Sequence, residues 1–159
     1  MDDFFDLSGQ TALITGSTKG IGKAIAERMA EHGANIVVSS RKQDACEAVA
    51  ADINENWAKS GNRAVSIPCH IYHKEQLQSL VEQSKAEFGK IDILVCNPAV
   101  NPFHGSALDI PDTAFDRIME CNIRSNSWLC NMVIPGMIEQ KDGVLIIVSS
   151  IGGIRGSKE

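Results

Sequence analysis

The stretch that most constrains the fold is Thr11 to Gly22, TALITGSTKGIG. It begins as a short apolar run, breaks into glycines at positions 16, 20 and 22, and continues with apolar residues at helical spacing. A strand, a glycine turn and a helix in this order form the context in which a glycine motif binds a dinucleotide. The alternative, a glycine-rich turn that only precedes a helix, is less consistent with that order.

Each glycine of this turn has a physical use in binding a pyrophosphate. Gly16 can adopt a backbone conformation that a side chain hinders, and a missing Cβ atom lets the main chain approach the anion. The helix that follows would direct free N–H groups and its positive dipole end at the phosphates. Gly22 would let that helix pack closely on the strand. The predicted cofactor-binding residues of the turn are Gly16, Ser17, Thr18, Lys19, Gly20, Ile21 and Gly22.

Strand and helix patterns alternate along the rest of the chain. Strands are predicted at 10–15, 35–40, 63–69, 91–96 and 144–148. Helices are predicted at 20–31, 44–60, 74–88 and 112–139, and Pro135 is expected to kink or end the last of them. Apolar strand runs joined by helices predict an α/β fold, a doubly wound parallel sheet of the Rossmann type covered on both faces, with strand order 3-2-1-4-5. We expect residues 1–159 to form a single dinucleotide-binding domain.

Polar residues follow three strands of this predicted sheet. The glycine turn follows strand 1, Asn97 follows strand 4, and the pair Ser149-Ser150 follows strand 5. In an open parallel sheet, ligands bind at the carboxyl ends of the strands, where the strand order reverses. These segments are therefore expected to meet at one crevice.

Composition excludes several classes of partner. The 159 residues carry a net charge of −5, which argues against a nucleic-acid surface, and no apolar run is long enough to cross a membrane. The acidic start of the chain lacks the basic residues of a secretion signal. The five cysteines form no C-x-x-C pair and indicate reduced thiols in the cytoplasm, and the four histidines are too scattered to predict a metal site.

The end of the second strand bears on the choice of nicotinamide cofactor. An acid at this place commonly binds the ribose 2′-hydroxyl of NAD, but the chain reads Ser39-Ser40-Arg41. A guanidinium can instead clamp a 2′-phosphate, and Lys19 could add a second positive charge. The alternatives are that Arg41 is a solvated loop cation and Lys19 an exposed first-turn lysine. We predict NADP(H) as the cofactor.

The spacing T-G-x-x-x-G-x-G, led by Thr15, resembles the short-chain dehydrogenase/reductase family. The run LVCNPAVNPFHGS at 94–106 narrows the resemblance to a subgroup of NADP-dependent carbonyl and retinal reductases. The resemblance covers the whole chain. It implies an oxidoreductase that transfers hydride between NADPH and a ketone or aldehyde, or the corresponding alcohol, and that assembles as a homotetramer.

The resemblance also assigns roles to individual residues. Ser150 matches the serine that holds the substrate oxygen, although a serine here could equally cap a turn or helix. Asn122 matches an asparagine that distorts the long helix and joins a proton relay, on a face that Ile118, Met119 and Leu129 place near the core. The family's N-N-A-G segment reads Cys96-Asn97-Pro98-Ala99 here, and His70 replaces its aspartate after strand three. The remaining predicted cofactor-binding residues are Arg41, His70, Asn97 and Ala99.

The catalytic Tyr-x-x-x-Lys motif of the family is absent. The one tyrosine, Tyr72, is followed four residues later by Gln76. We therefore expect the N-terminal portion of a longer fold, without the family's C-terminal strands and inactive by itself. A peroxisomal signal beyond Glu159 would change the cytoplasmic prediction. The alternative function is a non-catalytic nucleotide-binding or interaction module.

Overall fold

The computed structural model describes residues 4–59 and 61–155. The strands are β1 (Thr11–Thr15), β2 (Asn35–Ser39), β3 (Ala64–Ser66), β4 (Ile93–Cys96) and β5 (Val144–Ile147). The α-helices are α1 (Gly20–Glu31), α2 (Gln43–Asn56), α3 (Lys74–Phe88), α4 (Asp112–Ile118) and α5 (Ser125–Gln140). A π-helix spans Met119–Arg124, and a 3-10 turn spans Ile151–Gly153.

The five strands form one parallel sheet in the order β3-β2-β1-β4-β5, as predicted. β1 lies at the centre, where Ala12 is in register with Ile36 of β2 and Ile93 of β4. Every residue of β1 is buried, as its apolar run requires in a sheet covered on both faces.

Alternate residues of β1 divide the core into two layers. Ala12 and Ile14 pack in the layer that α1 and α2 cover. Leu13 points to the other face and packs with Leu77 of α3 and Leu129 of α5. Each fully buried leucine or isoleucine contributes about 1.5–3 kcal/mol relative to an exposed one, so both layers stabilise the central strands. This framework fixes the loop that leaves the carboxyl end of β1.

The prediction of a sheet covered on both faces is wrong for β5. The four apolar side chains of β5 are 37–56% exposed. β5 lies at the edge of the sheet and pairs with β4 alone among the strands of the described residues. The apolar run predicted the strand, but the described part of the chain covers its faces only in part.

The predicted long helix is continuous in space but irregular in its hydrogen bonding. The π-helix at Met119–Arg124 separates α4 from α5, whereas α5 runs through Pro135 to Gln140, so the helix does not end at Pro135. Leu129 is buried as expected, but Met119 is 40% exposed, and the expectation that it faces the core is wrong. The extra residue per turn of a π-helix shifts the faces that precede and follow it.

Several boundaries differ from the predicted ones. α2 ends at Asn56, and Ser60, the predicted last residue, lies outside the described residues. β3 ends at Ser66, although the N–H groups of Ile67 and Cys69 still donate to β2 and the residue after it. Pro68 between them has no N–H group. Within the described ranges, no helix has the length and apolar character needed to cross a membrane.

Candidate cofactor site

A cavity of about 530 Å³ opens at the carboxyl ends of β1, β2 and β4. All the predicted cofactor-binding residues line it except Ser17 and Gly22. The cavity thus brings the glycine turn together with Arg41, His70, Asn97 and Ala99, as the predicted strand order requires. Residues that the sequence analysis did not assign to this site also line it: Ser39, Ser40, Cys69, Ile71, Tyr72, Pro98, Val100, Arg117 and Cys121.

The glycine turn is packed too tightly for side chains. Gly16 has φ of +67°, in the left-handed region that glycine tolerates best. A Cβ atom at Gly22 would lie 2.4 Å from the Gly16 carbonyl oxygen and 2.6 Å from Nδ2 of Asn97. That amide nitrogen donates to the Gly16 carbonyl oxygen at 3.1 Å. Gly22, although outside the cavity wall, therefore lets α1 approach the turn and holds its shape.

The first turn of α1 is open to the cavity. Lys19 is the N-cap residue, and its side chain makes no capping hydrogen bond. Gly20 and Ile21, which begin the helix, line the cavity. The first N–H groups of an α-helix have no partner within the helix, and they lie at its positive end. The fold therefore presents an anion site to the cavity.

Ser17 has a structural position instead of the predicted place in the cavity. Its side chain is fully buried, and its hydroxyl donates to the Ile14 carbonyl at 2.7 Å. The N–H of Ser39 donates to the same hydroxyl at 2.9 Å, and the Ser17 N–H donates to the Ser39 carbonyl at 3.2 Å. Ser17 thus joins the glycine turn to the end of β2, and its side chain, predicted as part of the cofactor site, does not line the cavity.

Positive charge dominates the cavity wall. Lys19, Arg41 and Arg117 line the cavity, and no aspartate or glutamate among the described residues does so. Burial lowers the pKa of His70, and the neighbouring His73, Arg41 and Arg117 lower it further. The neutral form of His70 is therefore favoured, and the charge of the wall comes from its three cations. Such a wall favours an anionic ligand.

Tyr72 and Cys121 meet at the side of the cavity that follows β3. Burial raises the pKa of Tyr72, the neighbouring Cys121 thiol raises it further, and Arg117 lowers it. The Tyr72 ring lies 5.1 Å from the His70 ring, between centroids. Arg117 and Cys121 are four residues apart, a spacing that places them on one helical face and could have indicated their common position.

Asn122 lies in the π-helix but does not line the cavity. Its Oδ1 accepts from the Val100 N–H at 2.9 Å, and its Nδ2 donates to the Val100 carbonyl at 3.0 Å. Its own carbonyl accepts from Nδ2 of Asn126 at 2.9 Å. Asn122 therefore anchors the segment after β4, of which Val100 lines the cavity, to the distorted helix.

Ser150 lies at the exposed end of β5 and is not part of the cavity wall. Its hydroxyl accepts from the Gly152 N–H at 3.1 Å and caps the 3-10 turn. The capping alternative considered for this serine is thus observed. The hydroxyl remains exposed at the same edge of the sheet as the cavity, two strands from the glycine turn.

The known proteins that are similar to this chain include dehydrogenases, reductases and oxidoreductases. Dehydrogenase/reductase SDR family member 4 of Bos taurus is 39% identical over 145 residues, which cover 91% of this chain and 50% of that protein. A solved 7α-hydroxysteroid dehydrogenase complexed with NADH and 7-oxo glycochenodeoxycholic acid is 32% identical, with a TM-score of 0.87 over 96% of this chain and 58% of that one. A metagenomic short-chain oxidoreductase in complex with NADP is 30% identical, with a TM-score of 0.85 over 95% of this chain and 66% of that one.

The chain spans about half the length of the curated relatives it matches. The family model of short chain dehydrogenase matches residues 10–159, which include the glycine turn, the π-helix and Ser150. The solved neighbours share the fold at more than 25% identity. Together with the strand order and the cavity, these matches show that the chain belongs to the short chain dehydrogenase family.

Proposed function

We propose that this chain binds NADP(H) in the cavity and forms the cofactor half of an oxidoreductase that transfers hydride between NADPH and a ketone or aldehyde. The observation that carries the proposal is the open first turn of α1, flanked by Lys19 and Arg41, in a wall to which residues 4–59 and 61–155 contribute no carboxylate. A pyrophosphate would receive the helix N–H groups, and the two cations would hold the 2′-phosphate.

The charge around the end of β2 favours NADP(H) over NAD(H). Ser39 and Ser40 occupy the positions where an acid would bind the 2′-hydroxyl, and Arg41 follows them. Among residues 4–59 and 61–155, no carboxylate lies within 4.0 Å of the Lys19 or Arg41 charge. A phosphate would therefore not compete with an internal ion pair.

The substrate would lie beside the cofactor, towards β5. NADPH would supply the hydride when bound. The exposed Ser150 hydroxyl accepts from the Gly152 N–H and would donate its own hydrogen to the substrate oxygen. Asn122 would keep the segment of Val100 against the cofactor. The sequence contains no Tyr-x-x-x-Lys motif to donate a proton, so we propose that the 159 residues alone bind the cofactor without turnover.

Two further features support proposals about assembly and location. Phe115, Met119 and Ile123 are 40–57% exposed and follow each other at four-residue spacing, which supports a tetramer built on this helix face. All five cysteines are free, which supports a reducing compartment such as the cytoplasm.

Calorimetric titration with NADP⁺ and NAD⁺ tests the cofactor proposal. The parent chain should bind NADP⁺ at least tenfold more tightly, and the double variant Lys19→Gln/Arg41→Gln should lose most of that preference because two phosphate-binding charges are gone. The matched control Arg28→Gln/Arg63→Gln removes two arginine charges outside the cavity and should retain the preference for NADP⁺. Equal affinity of the parent for both cofactors would refute the proposal.

A separate assay tests whether the 159 residues alone turn over a substrate. NADPH oxidation is followed with aromatic ketones, diketones or retinal, using protein whose mass confirms the 159-residue chain. We expect no oxidation above the blank. Turnover by this chain would show that the missing tyrosine is dispensable and would contradict the proposed division of roles.

A further inference from the structure

The cofactor cavity contains a third cation that neither the glycine turn nor the end of β2 supplies. Arg117 lies on α4 and lines the cavity together with Lys19 and Arg41. It approaches from the helix that follows β4, so the cations reach the cavity from three different elements. The proposed function uses only two of them.

Tyr72 holds the Arg117 side chain in place. The guanidinium carbon of Arg117 lies 6.0 Å from the centroid of the Tyr72 ring, within the range of a cation–π contact. The positive charge of Arg117 also lowers the pKa of Tyr72, against the effect of burial. A long exposed side chain that packs on a ring is more ordered than a free one, so less entropy is lost when it binds a ligand.

Arg41 and Arg117 both affect the pKa values of two other residues of the cavity wall, His70 and Cys121. Both guanidiniums contribute to lowering the pKa of His70, and both oppose the burial that raises the pKa of Cys121. Two positive charges that face one region repel each other unless an anion lies between them. Because both guanidiniums line the same cavity, an anionic ligand bound there would reduce this repulsion.

Three arginines outside the cavity differ from the two cavity arginines because they are paired. Arg28, Arg63 and Arg124 lie outside the cavity, and each forms an ion pair with a glutamate. In the described part of the chain, neither Arg41 nor Arg117 has a carboxylate within 4.0 Å. The two cavity arginines are therefore available to a phosphate.

We propose that Arg117 is a specificity-determining residue that stabilises the ribose 2′-phosphate of NADP(H) together with Arg41. Tyr72 is its positioning residue. This inference rests on the proposed function, because it assigns a second arginine to the phosphate that distinguishes NADP(H) from NAD(H). Removing one charge-assisted contact to a phosphate should weaken binding about tenfold.

Titration of the 159-residue chain with 2′,5′-ADP and with 5′-AMP isolates the contribution of the 2′-phosphate. Arg117→Gln should weaken 2′,5′-ADP binding about tenfold and change 5′-AMP binding less than twofold. Arg117→Lys should retain part of the preference, since it keeps the charge but loses the planar fork. Arg124→Gln, which removes a paired arginine outside the cavity, should change neither affinity.

Tyr72→Leu supplies an independent variant, because it removes the ring on which the Arg117 guanidinium packs. It should weaken 2′,5′-ADP binding a few fold more than 5′-AMP binding, because the ring orders the side chain that binds the 2′-phosphate. Equal weakening of both ligands in Arg117→Gln, or no change in either, would overturn the inference. If Arg117→Gln had no selective effect but Arg41→Gln abolished the preference for 2′,5′-ADP, the inference about Arg117 would be wrong and the proposed function would remain supported. A parent chain that binds both ligands equally, or neither, would overturn both proposals.

Discussion

Replacement of Gly22 by alanine should destabilise the fold strongly, although it adds one methyl group to a helix. The new Cβ would lie 2.4 Å from the Gly16 carbonyl oxygen and 2.6 Å from the Asn97 amide nitrogen. Overpacking of this kind costs about 1–3 kcal/mol, and loss of the hydrogen bond from Asn97 to Gly16 costs a further 0.5–1.5 kcal/mol, approximately. We expect a loss of about 3 kcal/mol in the free energy of unfolding.

Gly136→Ala is the matched control, and it should change stability in the opposite direction. Gly136 also lies inside a helix, α5, where an added Cβ would be 3.4 Å from Nζ of Lys85, the movable end of a long side chain. With no fixed neighbour to displace, alanine should stabilise the helix by about 0.5–1 kcal/mol. The two substitutions therefore separate the effect of close packing at Gly22 from helix propensity.

Urea and thermal unfolding, followed by circular dichroism at the helix band, measure both variants. For a chain of this size about 1 kcal/mol corresponds to roughly 2–4 °C, so Gly22→Ala should lower the Tm by about 6–12 °C. Gly136→Ala should raise it by about 1–4 °C. If Gly22→Ala changed the free energy of unfolding by less than about 0.5 kcal/mol, the tight contact between α1 and the turn would be refuted.

Three further predictions follow from contacts in and near the site. Asn122→Ala removes both hydrogen bonds to Val100 and should cost about 1–3 kcal/mol, with faster hydrogen exchange of the Val100 amide as the local measurement. Ser17→Ala leaves buried backbone groups at the end of β2 without their hydroxyl partner and should lower the free energy of unfolding in urea by about 1–3 kcal/mol. Burial raises the pKa of the Cys69 and Cys96 thiols to about 12, from an ordinary value near 9, so the folded chain keeps both protonated while the unfolded chain ionises them. The free energy of unfolding should therefore have its full value below about pH 9 and decrease as the pH rises towards 12, by up to about 1.4 kcal/mol per pH unit for each thiol. In urea titrations at several pH values, a Cys69→Ala/Cys96→Ala variant should show a shallower dependence of this free energy on pH.

The sequence predicted the features that depend on local backbone chemistry. The glycine spacing specified a turn with Gly16 at positive φ, and the alternation of apolar strands with helices specified the strand order. Glycine is common just after the end of a helix, and Gly33 and Gly89, which follow α1 and α3, both have positive φ. These features could be predicted because each depends on residues close together in the chain.

The features that the sequence did not predict depend on distant contacts. The π-helix contains Asn122, which is hydrogen-bonded to Val100, 22 residues earlier in the chain. No periodicity of the sequence predicts this pairing or the extent of the π-helix. Arg117 and Tyr72 meet only because α4 folds against the segment after β3. Ser17 has the polarity of a ligand-binding residue, but its hydroxyl is used by β2, which lies on the far side of α1 in sequence.

The open side of β5 has a practical consequence for the isolated chain. In the part of the molecule that the structure describes, one side of this strand has no neighbour in the sheet, and its flanking side chains are apolar and exposed. Such an edge is a template on which another extended segment can add, and charge repulsion at −5 is a weak barrier that salt screens. Concentrated samples in high salt should therefore self-associate through strand addition, and dilute samples at low ionic strength should suit the titrations best.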